Sequence, residues 1–448
     1  MSSSPLPAAA SGALISVLMV GAGEYNVGYV PTAAGAAPDK RCGVVAVTLL
    51  DLRRRGKVGR VLLAEADASR LPAARACMAE KIGAAYVGLD VAAIECFPGA
   101  DVTSGFHAGA AAAAMDTLRA GDAVIIFTPD PTHAPLASAA IARGLHVLVA
   151  KPLVKTLAEH AALAAAARAG RVLAAVEYHK RFDPIYSDAR ERARGLGPFS
   201  FFSAMMTQRR AQLDTFAGWA GKSSDISYYL NSHHADVLAW MVDGVARPEA
   251  VAAVASTGVA DAHLGRPCED TISLLVTYRN AGGAAAHAVL TASWVAPTAD
   301  CHTQQAFHYM GQRGEIRADQ AHRGYALSAE QGAGGGTGAL AALNPLYMRY
   351  VPDARGFFAG QAGYGYRSIE AFVDAAAAVR AGAPLAHAAA GLADAAEAQA
   401  LKVTAVLEAG RRSLDAGGRT VRILYEGEDA PPPPGAPADV HAMPRCLE

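Results

Sequence analysis

Apolar residues in the first third of the chain gather into short unbroken runs separated by turn-forming residues; further on they alternate with polar ones. Ile15-Ser16-Val17-Leu18-Met19-Val20 runs straight into Gly21-Ala22-Gly23. A run of that length without alternation predicts a strand buried on both faces, as in a parallel sheet. Residues 31–42 are loop-like, and helical spacing begins only over 43–52, so an insertion is expected between the first strand and its helix. Val61-Leu62-Leu63-Ala64-Glu65-Ala66 predicts a second strand that ends at Asp67. Ala123-Val124-Ile125-Ile126-Phe127, closed by Thr128-Pro129-Asp130-Pro131, and His146-Val147-Leu148-Val149-Ala150 predict two more, with a helix over 134–143 between them. Thr156-Leu157-Ala158-Glu159 is a capping box that opens the next helix. Residues 171–176 read as one further strand. Strands alternating with helices predict an α/β fold with a doubly wound parallel sheet of the Rossmann type.

After about residue 181 the pattern changes. Runs rich in β-formers at 199–208, 250–256, 271–278 and 286–294 follow one another mostly without helices between them. They predict a separate α+β domain with a large, mostly antiparallel open sheet. The Gly/Ala-rich stretch 329–342 reads as a surface insertion, and 390–414 as a helix packing back on the body. The expected organisation is a flexible leader (1–12), a Rossmann domain (13–155), an α+β domain for substrate and oligomerisation (156–425) and a Pro-rich disordered tail (426–448).

Composition narrows the function classes. A chain of 448 residues exceeds one ordinary core, and although 52% is hydrophobic, no apolar stretch reaches the ~20 residues of a membrane span. Lys plus Arg (40) nearly balances Asp plus Glu (41), so no net field draws in nucleic acid or an anionic membrane. A small-molecule substrate is expected, with neither nucleic acid nor membrane as partner. The six cysteines form no C-x-x-C pair, which speaks against zinc and disulfide frameworks and for a reducing compartment, the cytoplasm. The first dozen residues lack the basic n-region of a secretory signal.

Several residues are candidates for chemistry. Gly21 and Gly23 let backbone amides approach a pyrophosphate, although Asn26 stands where a third glycine is usual; Gly28 is a displaced candidate, and a plain strand-to-loop turn is the competing reading. Asp67 is placed to accept hydrogen bonds from ribose hydroxyls, which favours NAD; Ser69 and Arg70 offer a 2′-phosphate partner, which favours NADP, and NAD is preferred. Lys151-Pro152 puts an amine at the carboxyl edge of the sheet, where doubly wound folds bind ligands, unless it is a surface lysine beside a turn. Tyr229, His233 and Asp236 are spaced i, i+4 and i+7, so a helix presents them on one face, with His234 directed elsewhere. A packing histidine is the alternative there, and no H-E-x-x-H spacing supports a metal, so none is expected.

In their order along the chain, the segments 17–23, 123–133 and 144–153 resemble the Gfo/Idh/MocA family, the relatives of glucose-fructose oxidoreductase and inositol dehydrogenase. The resemblance extends over most of residues 15–425. It implies an NAD(P)-dependent oxidoreductase acting on a sugar, polyol or related hydroxyl or carbonyl compound. It matches Lys151 to the lysine of a Glu-Lys-Pro motif, with Ala150 in place of the glutamate. It matches His233 and Asp236 to an Asp-x-x-x-His-x-x-Asp pattern, with Tyr229 in place of the first aspartate, and Arg181-Phe182-Asp183-Pro184 to an Arg-Phe-x-Pro element. Lys151, His233 and Tyr229 are then expected to be catalytic. Gly21, Gly23, Glu24, Tyr25, Asp67, Thr128, Pro129, His133 and Lys151 are expected on the cofactor, and His179, Arg181, Asn231 and His234 on the substrate. A homo-oligomer built through the second sheet is implied by the resemblance. Ala150 and Tyr229 keep open a cofactor-binding regulator or sensor of the same fold.

Overall fold

The structure is a computed structural model that describes residues 14–31, 42–297, 304–329, 339–342, 344–428, 433 and 435–448. Most of the expected insertion after the first strand, the leader and much of 329–342 lie outside these residues.

The first sheet is seven-stranded. β1 (Ile15–Val20), β2 (Val58–Ala64), β3 (Ile94–Phe97), β4 (Ala123–Ile126), β5 (His146–Val149) and β6 (Ala174–Val176) are parallel and lie in the order β3-β2-β1-β4-β5-β6. The short strand Ala393–Asp394 joins antiparallel at the edge of β6. This order reverses between β1 and β4, which opens a crevice at their carboxyl ends. Side-chain alternation sorts the core. Leu18, Val124, Ile126 and Val147 pack on one face with the helices Ala110–Met115, His133–Ile141 and Leu157–Gly170. Val17, Met19, Leu63 and Ile125 pack on the other with the helices Val45–Arg54 and Tyr364–Arg380. The sheet therefore continues beyond the boundary expected at 155, through β6, and one of its covering helices comes from residues far along the chain.

The second sheet is eight-stranded and mostly antiparallel. It contains β7 (Phe199–Arg209), β8 (Ala246–Ser256), β9 (Thr271–Asn280), β10 (Ala285–Ala296), β11 (Gln305–Gly311) and β12 (Gly314–Asp319), in the order β12-β11-β7-β10-β9-β8. Only the pairing of β10 with β7 is parallel among these. One face, with Phe202, Ala204, Ile272, Leu274, Val276, Ala288, Leu290 and Tyr309, is buried. The helix Ala398–Asp415 packs there, beginning eight residues later than the periodicity of 390–414 suggests.

The segment expected as a disordered tail behaves differently where it is described. Pro444–Leu447 pairs antiparallel with Val421–Tyr425, which in turn pairs with β8. Buried Lys402 donates to the Val440 carbonyl at 2.5 Å, and Arg247 to that of Asp439 at 3.0 Å. The proline run hid this, because what holds the segment is backbone pairing and buried cations rather than an apolar stripe.

Candidate active site

A cavity of about 1070 Å³ lies along the carboxyl edge of the first sheet and runs on to the mouth of the second domain. At one end β1 delivers Gly21, Ala22 and Gly23. Gly21 has φ +96°, and a Cβ there would stand 2.6 Å from the Phe127 carbonyl oxygen, so only glycine lets β1 and β4 part this closely. A Cβ on Gly23 would meet nothing within 4 Å. Gly28 does not line the cavity; with φ +72° it packs against Cys42, 2.7 Å from where its Cβ would be, and so seats the first short helix. Glu65, at the end of β2, accepts from Ala22 N at 2.7 Å and from Asp67 N at 3.0 Å, bracing the glycine loop from beneath.

Asp67 lines the cavity and accepts from Ser69 N at 3.1 Å and Ser69 Oγ at 2.6 Å. Ser69 is thereby turned toward the carboxylate, while Arg70 Nη1 lies 3.8 Å from Glu65. Opposite Asp67, Phe106 forms a one-residue antiparallel bridge, held by His107 N to Ala66 O at 2.6 Å and Ala68 N to Gly105 O at 3.0 Å. Its ring is 77% exposed at the cavity rim. Glu24, Tyr25, Thr128, Pro129 and His133 also line the cavity. Tyr25 stacks on Phe127 with centroids 4.4 Å apart. The His133 ring sits between the β4 and β5 exits, with Nε2 2.8 Å from Thr128 O and Nδ1 2.9 Å from Pro152 O.

At the other end Lys151 leaves β5 and donates to the Tyr229 carbonyl, its ammonium 3.7 Å from the centroid of the Tyr229 ring. Tyr229 stands in a π-helical turn, Ser227–Asn231, that precedes the helix Ser232–Met241. Its ring packs with Phe216 and Trp219, centroids 5.0 and 5.4 Å away. His233 follows one turn later and lines the same cavity. Burial, then the Lys151 and His179 charges, hold its pKa well below the ordinary histidine value, so the ring is neutral at pH 7. Lys151, His233 and Tyr229 thus converge, as does His179, whose ring centroid is 5.0 Å from that of His233.

Three residues expected on the substrate do not line the cavity. Arg181 is buried in a bidentate pair with Asp236, Nη2 to Oδ1 at 2.6 Å and Nε to Oδ2 at 3.0 Å, and joins the β6 exit to the helix Ser232–Met241. Asn231 donates to Ser227 Oγ at 3.1 Å and to Ile272 O at 3.3 Å, which spends its amide on the scaffold. His234 faces away from the cavity toward Tyr186, centroids 6.5 Å apart, because adjacent helical residues diverge by about 100°. Among the described residues no group of three or more His, Cys, Asp and Glu side chains is arranged to hold a metal, and no helix is long and apolar enough to cross a membrane.

Glu177, Gln305 and Gln320, none of them among the expected site residues, line the cavity as well. Glu177 follows β6 as Lys151 follows β5, and the same edge rule points to it. Its backbone N bonds to Val149 O at 2.8 Å, which sets it beside Ala150. Gln305 and Gln320 line the cavity too, each accepting from the buried Lys180. Gln320 also donates to Tyr364 Oη at 2.9 Å. No local pattern signals this network, since its members come from four separate segments.

Residues 15–178 match the sequence model of an oxidoreductase family with an NAD-binding Rossmann fold, Gfo/Idh/MocA. The chain is 37% identical over 119 residues, 26% of its length and 34% of the relative's, to the uncharacterized oxidoreductase YdgJ of Escherichia coli K12. It is 39% identical over 71 residues, 16% of its length and 21% of the relative's, to scyllo-inositol 2-dehydrogenase (NAD(+)) of Bacillus subtilis 168. These sequence matches span about a third or less of the curated relatives. Among solved structures, GenD2 from gentamicin A biosynthesis in complex with NAD superposes with a TM-score of 0.62 at 22% identity, covering 94% of this chain and 100% of that one, which is a likeness of fold.

Proposed function

We propose, from the match of residues 15–178 to the sequence model of the Gfo/Idh/MocA oxidoreductase family, that the chain transfers a hydride between NAD and a sugar, polyol or related hydroxyl or carbonyl compound. The observation that carries this reading is the convergence of Lys151 and His233, 82 positions apart in sequence, on the one cavity that begins at Gly21 and Gly23.

The nicotinamide supplies the redox chemistry. This chain's residues bind, orient and handle the proton. The Gly21–Gly23 turn receives the pyrophosphate, and the Asp67 carboxylate takes the ribose hydroxyls and repels a 2′-phosphate, favouring NAD over NADP. Phe106 offers its open face to the adenine. At the reacting end the Lys151 ammonium, held beside the Tyr229 carbonyl, hydrogen-bonds the substrate oxygen. Neutral His233 is in the form that accepts a proton when a hydroxyl is oxidised, and the Tyr229 ring stiffens that wall. The neutral lining groups Gln305, Gln320 and Asn344 suit a hydroxyl-rich substrate, and similarity to a scyllo-inositol dehydrogenase points to the cyclitols first.

The open face of the second sheet exposes Met205 (44%), Val254 (68%) and Leu275 (48%), which supports assembly of two copies face to face.

A nicotinamide absorbance assay of the purified protein against sugars, inositols and their keto forms, with NAD and NADP, tests the reaction. Turnover with any of them, faster with NAD, is expected. Tight NAD binding with no turnover across the panel would favour the second reading, a cofactor-binding sensor, for which the Lys151–Tyr229 contact and Ala150 speak. Absence of nucleotide binding would sink both.

A further inference from the structure

The exit of β6 carries two side chains that this assignment leaves unused. His179 Nδ1 lies 3.0 Å from Glu177 Oε2, and Ser368 Oγ donates to Glu177 Oε1 at 2.5 Å. Glu177 is only 2% exposed, and no lysine or arginine pairs with it among the described residues. A buried carboxylate needs donors, and here they are one hydroxyl and one imidazole. That fixes the tautomer: Nδ1 carries the hydrogen toward Glu177, and Nε2 is left as acceptor. Nε2 makes no hydrogen bond among the described residues, and the ring lies on the wall of the same cavity as Lys151 and His233. Tyr347 and Tyr364 clamp it, centroids 5.3 and 5.5 Å away.

The two cavity histidines are unequal as proton holders. His233 lines the cavity but is buried, and among the described residues its Nδ1 has no hydrogen-bond partner and no carboxylate bonds to it. A proton on His233 faces the Lys151 charge without compensation. Burial, with Lys180 and Lys151, also lowers the pKa of His179, but Glu177 opposes them, so it is not held as far down as that of His233. The rings are 5.0 Å apart between centroids.

We propose that Glu177 and His179 form a carboxylate–imidazole pair that receives, through His233, the proton released from the substrate hydroxyl. The inference rests on the dehydrogenase reading. In oxidation the substrate C–H bond breaks, its electron pair and hydrogen passing to the oxidised nicotinamide; the O–H proton goes to His233 and the carbonyl forms. The proton then moves to His179 Nε2, His233 returns to neutral, and Glu177 stabilises the imidazolium without taking the proton. Reduction runs the same steps backward. Glu177 is a positioning residue. The groups that face His179 are Glu177 beside it, Lys180 in the same turn, Lys151 from β5, His233 from its helix, and Tyr347 and Tyr364 from the later segment.

Glu177→Gln keeps the shape and removes the charge. With NAD and the best substrate of the panel, kcat is expected to fall about 10²-fold while KM and the NAD Kd stay within about twofold. The acid limb of the kcat–pH profile should move to lower pH, because His179 loses the charge that favours its protonation. Glu177→Asp should recover part of the rate, and His179→Asn should lose as much rate as Glu177→Gln. Histidine NMR titration of wild type and Glu177→Gln reads the pair without any turnover, and the His179 resonance should titrate lower in the variant. Turnover with an unchanged rate and profile in both Glu177→Gln and His179→Asn would overturn the relay and leave the dehydrogenase standing. An unshifted His179 titration would overturn the pair itself. A shifted titration with no turnover by wild type would keep the pair but overturn the reaction, and the relay with it.

Discussion

At the scale of single residues, one wall of the cavity holds a lysine, two histidines and a buried carboxylate, and the roles proposed for them follow from what each touches. Lys151 reaches its position by leaving β5, whereas the Gly21–Gly23 loop hangs on β1 and is braced by Glu65 from β2. Lys151→Met is therefore expected to abolish turnover while leaving the NAD Kd within a few-fold of wild type, as read by turnover and by fluorescence titration. Unchanged turnover would remove Lys151 from the chemistry. Lys180 answers to pH. Burial pulls its pKa from the ordinary 10.5 down to about 7, Asp183 opposing and Arg323 and Lys151 adding. In the window between about 7 and 10.5 the unfolded chain holds a proton that the folded chain has shed, so stability rises with pH across it. Lys180→Met should flatten that rise in urea unfolding at a series of pH values; an equally steep rise in the variant would show that Lys180 titrates outside the window.

At the scale of elements, the helix Leu157–Gly170 shows how a local signal becomes a fixed start. Thr156 Oγ1 accepts from Glu159 N at 3.2 Å and donates to Glu159 Oε2 at 2.8 Å. Glu408, from the helix Ala398–Asp415, accepts from Leu157 N at 2.6 Å, so one of the open first-turn amides is satisfied across the fold. Thr156→Ala should cost about 1 kcal/mol in denaturant unfolding. A loss near zero would mean that Glu408 alone sets the helix start. The π-helical turn Ser227–Asn231 has the opposite character. The i, i+4, i+7 spacing predicts one continuous helix there, and the structure inserts a wider turn that carries the Tyr229 carbonyl to Lys151. Turns of this kind recur at functional sites.

At the scale of the whole molecule, the exposed face of the second sheet sets apolar residues in register across several strands. Val289 pairs with Leu275, and Leu275 with Ala252. Thr291 pairs with Met205 and with Ser273, and Ser273 with Val254. Leu275→Glu is expected to convert the assembled protein to monomer in light scattering after size-exclusion chromatography, because it sets like charges against each other across a twofold axis. A wild type that already runs as a monomer, or a variant of unchanged mass, would remove this face as the interface.

The amino-acid sequence by itself determined what depends on neighbours along the chain. Unbroken apolar runs identify β1, β2, β4 and β5, because a strand buried on both faces tolerates little else. That Gly21, Gly23, Asp67 and Lys151 line the cavity is legible because each stands just after such a run, at the carboxyl edge of the sheet. His233 is legible from helical spacing. Tertiary structure alone decided the rest. Arg181 and Asn231 carry the residue types of a binding site, yet they serve the scaffold, since their partners Asp236 and Ile272 come from other segments. The helix Tyr364–Arg380 covers the first sheet although it follows most of the second, and it supplies Ser368 to Glu177. The end of the chain is pinned by Lys402, Arg247 and a strand partner rather than by its own composition. Pairings between residues hundreds of positions apart leave no periodicity in the sequence. They arise because a buried charge or amide must find a partner, and which partner it finds depends on how the sheets and helices come together.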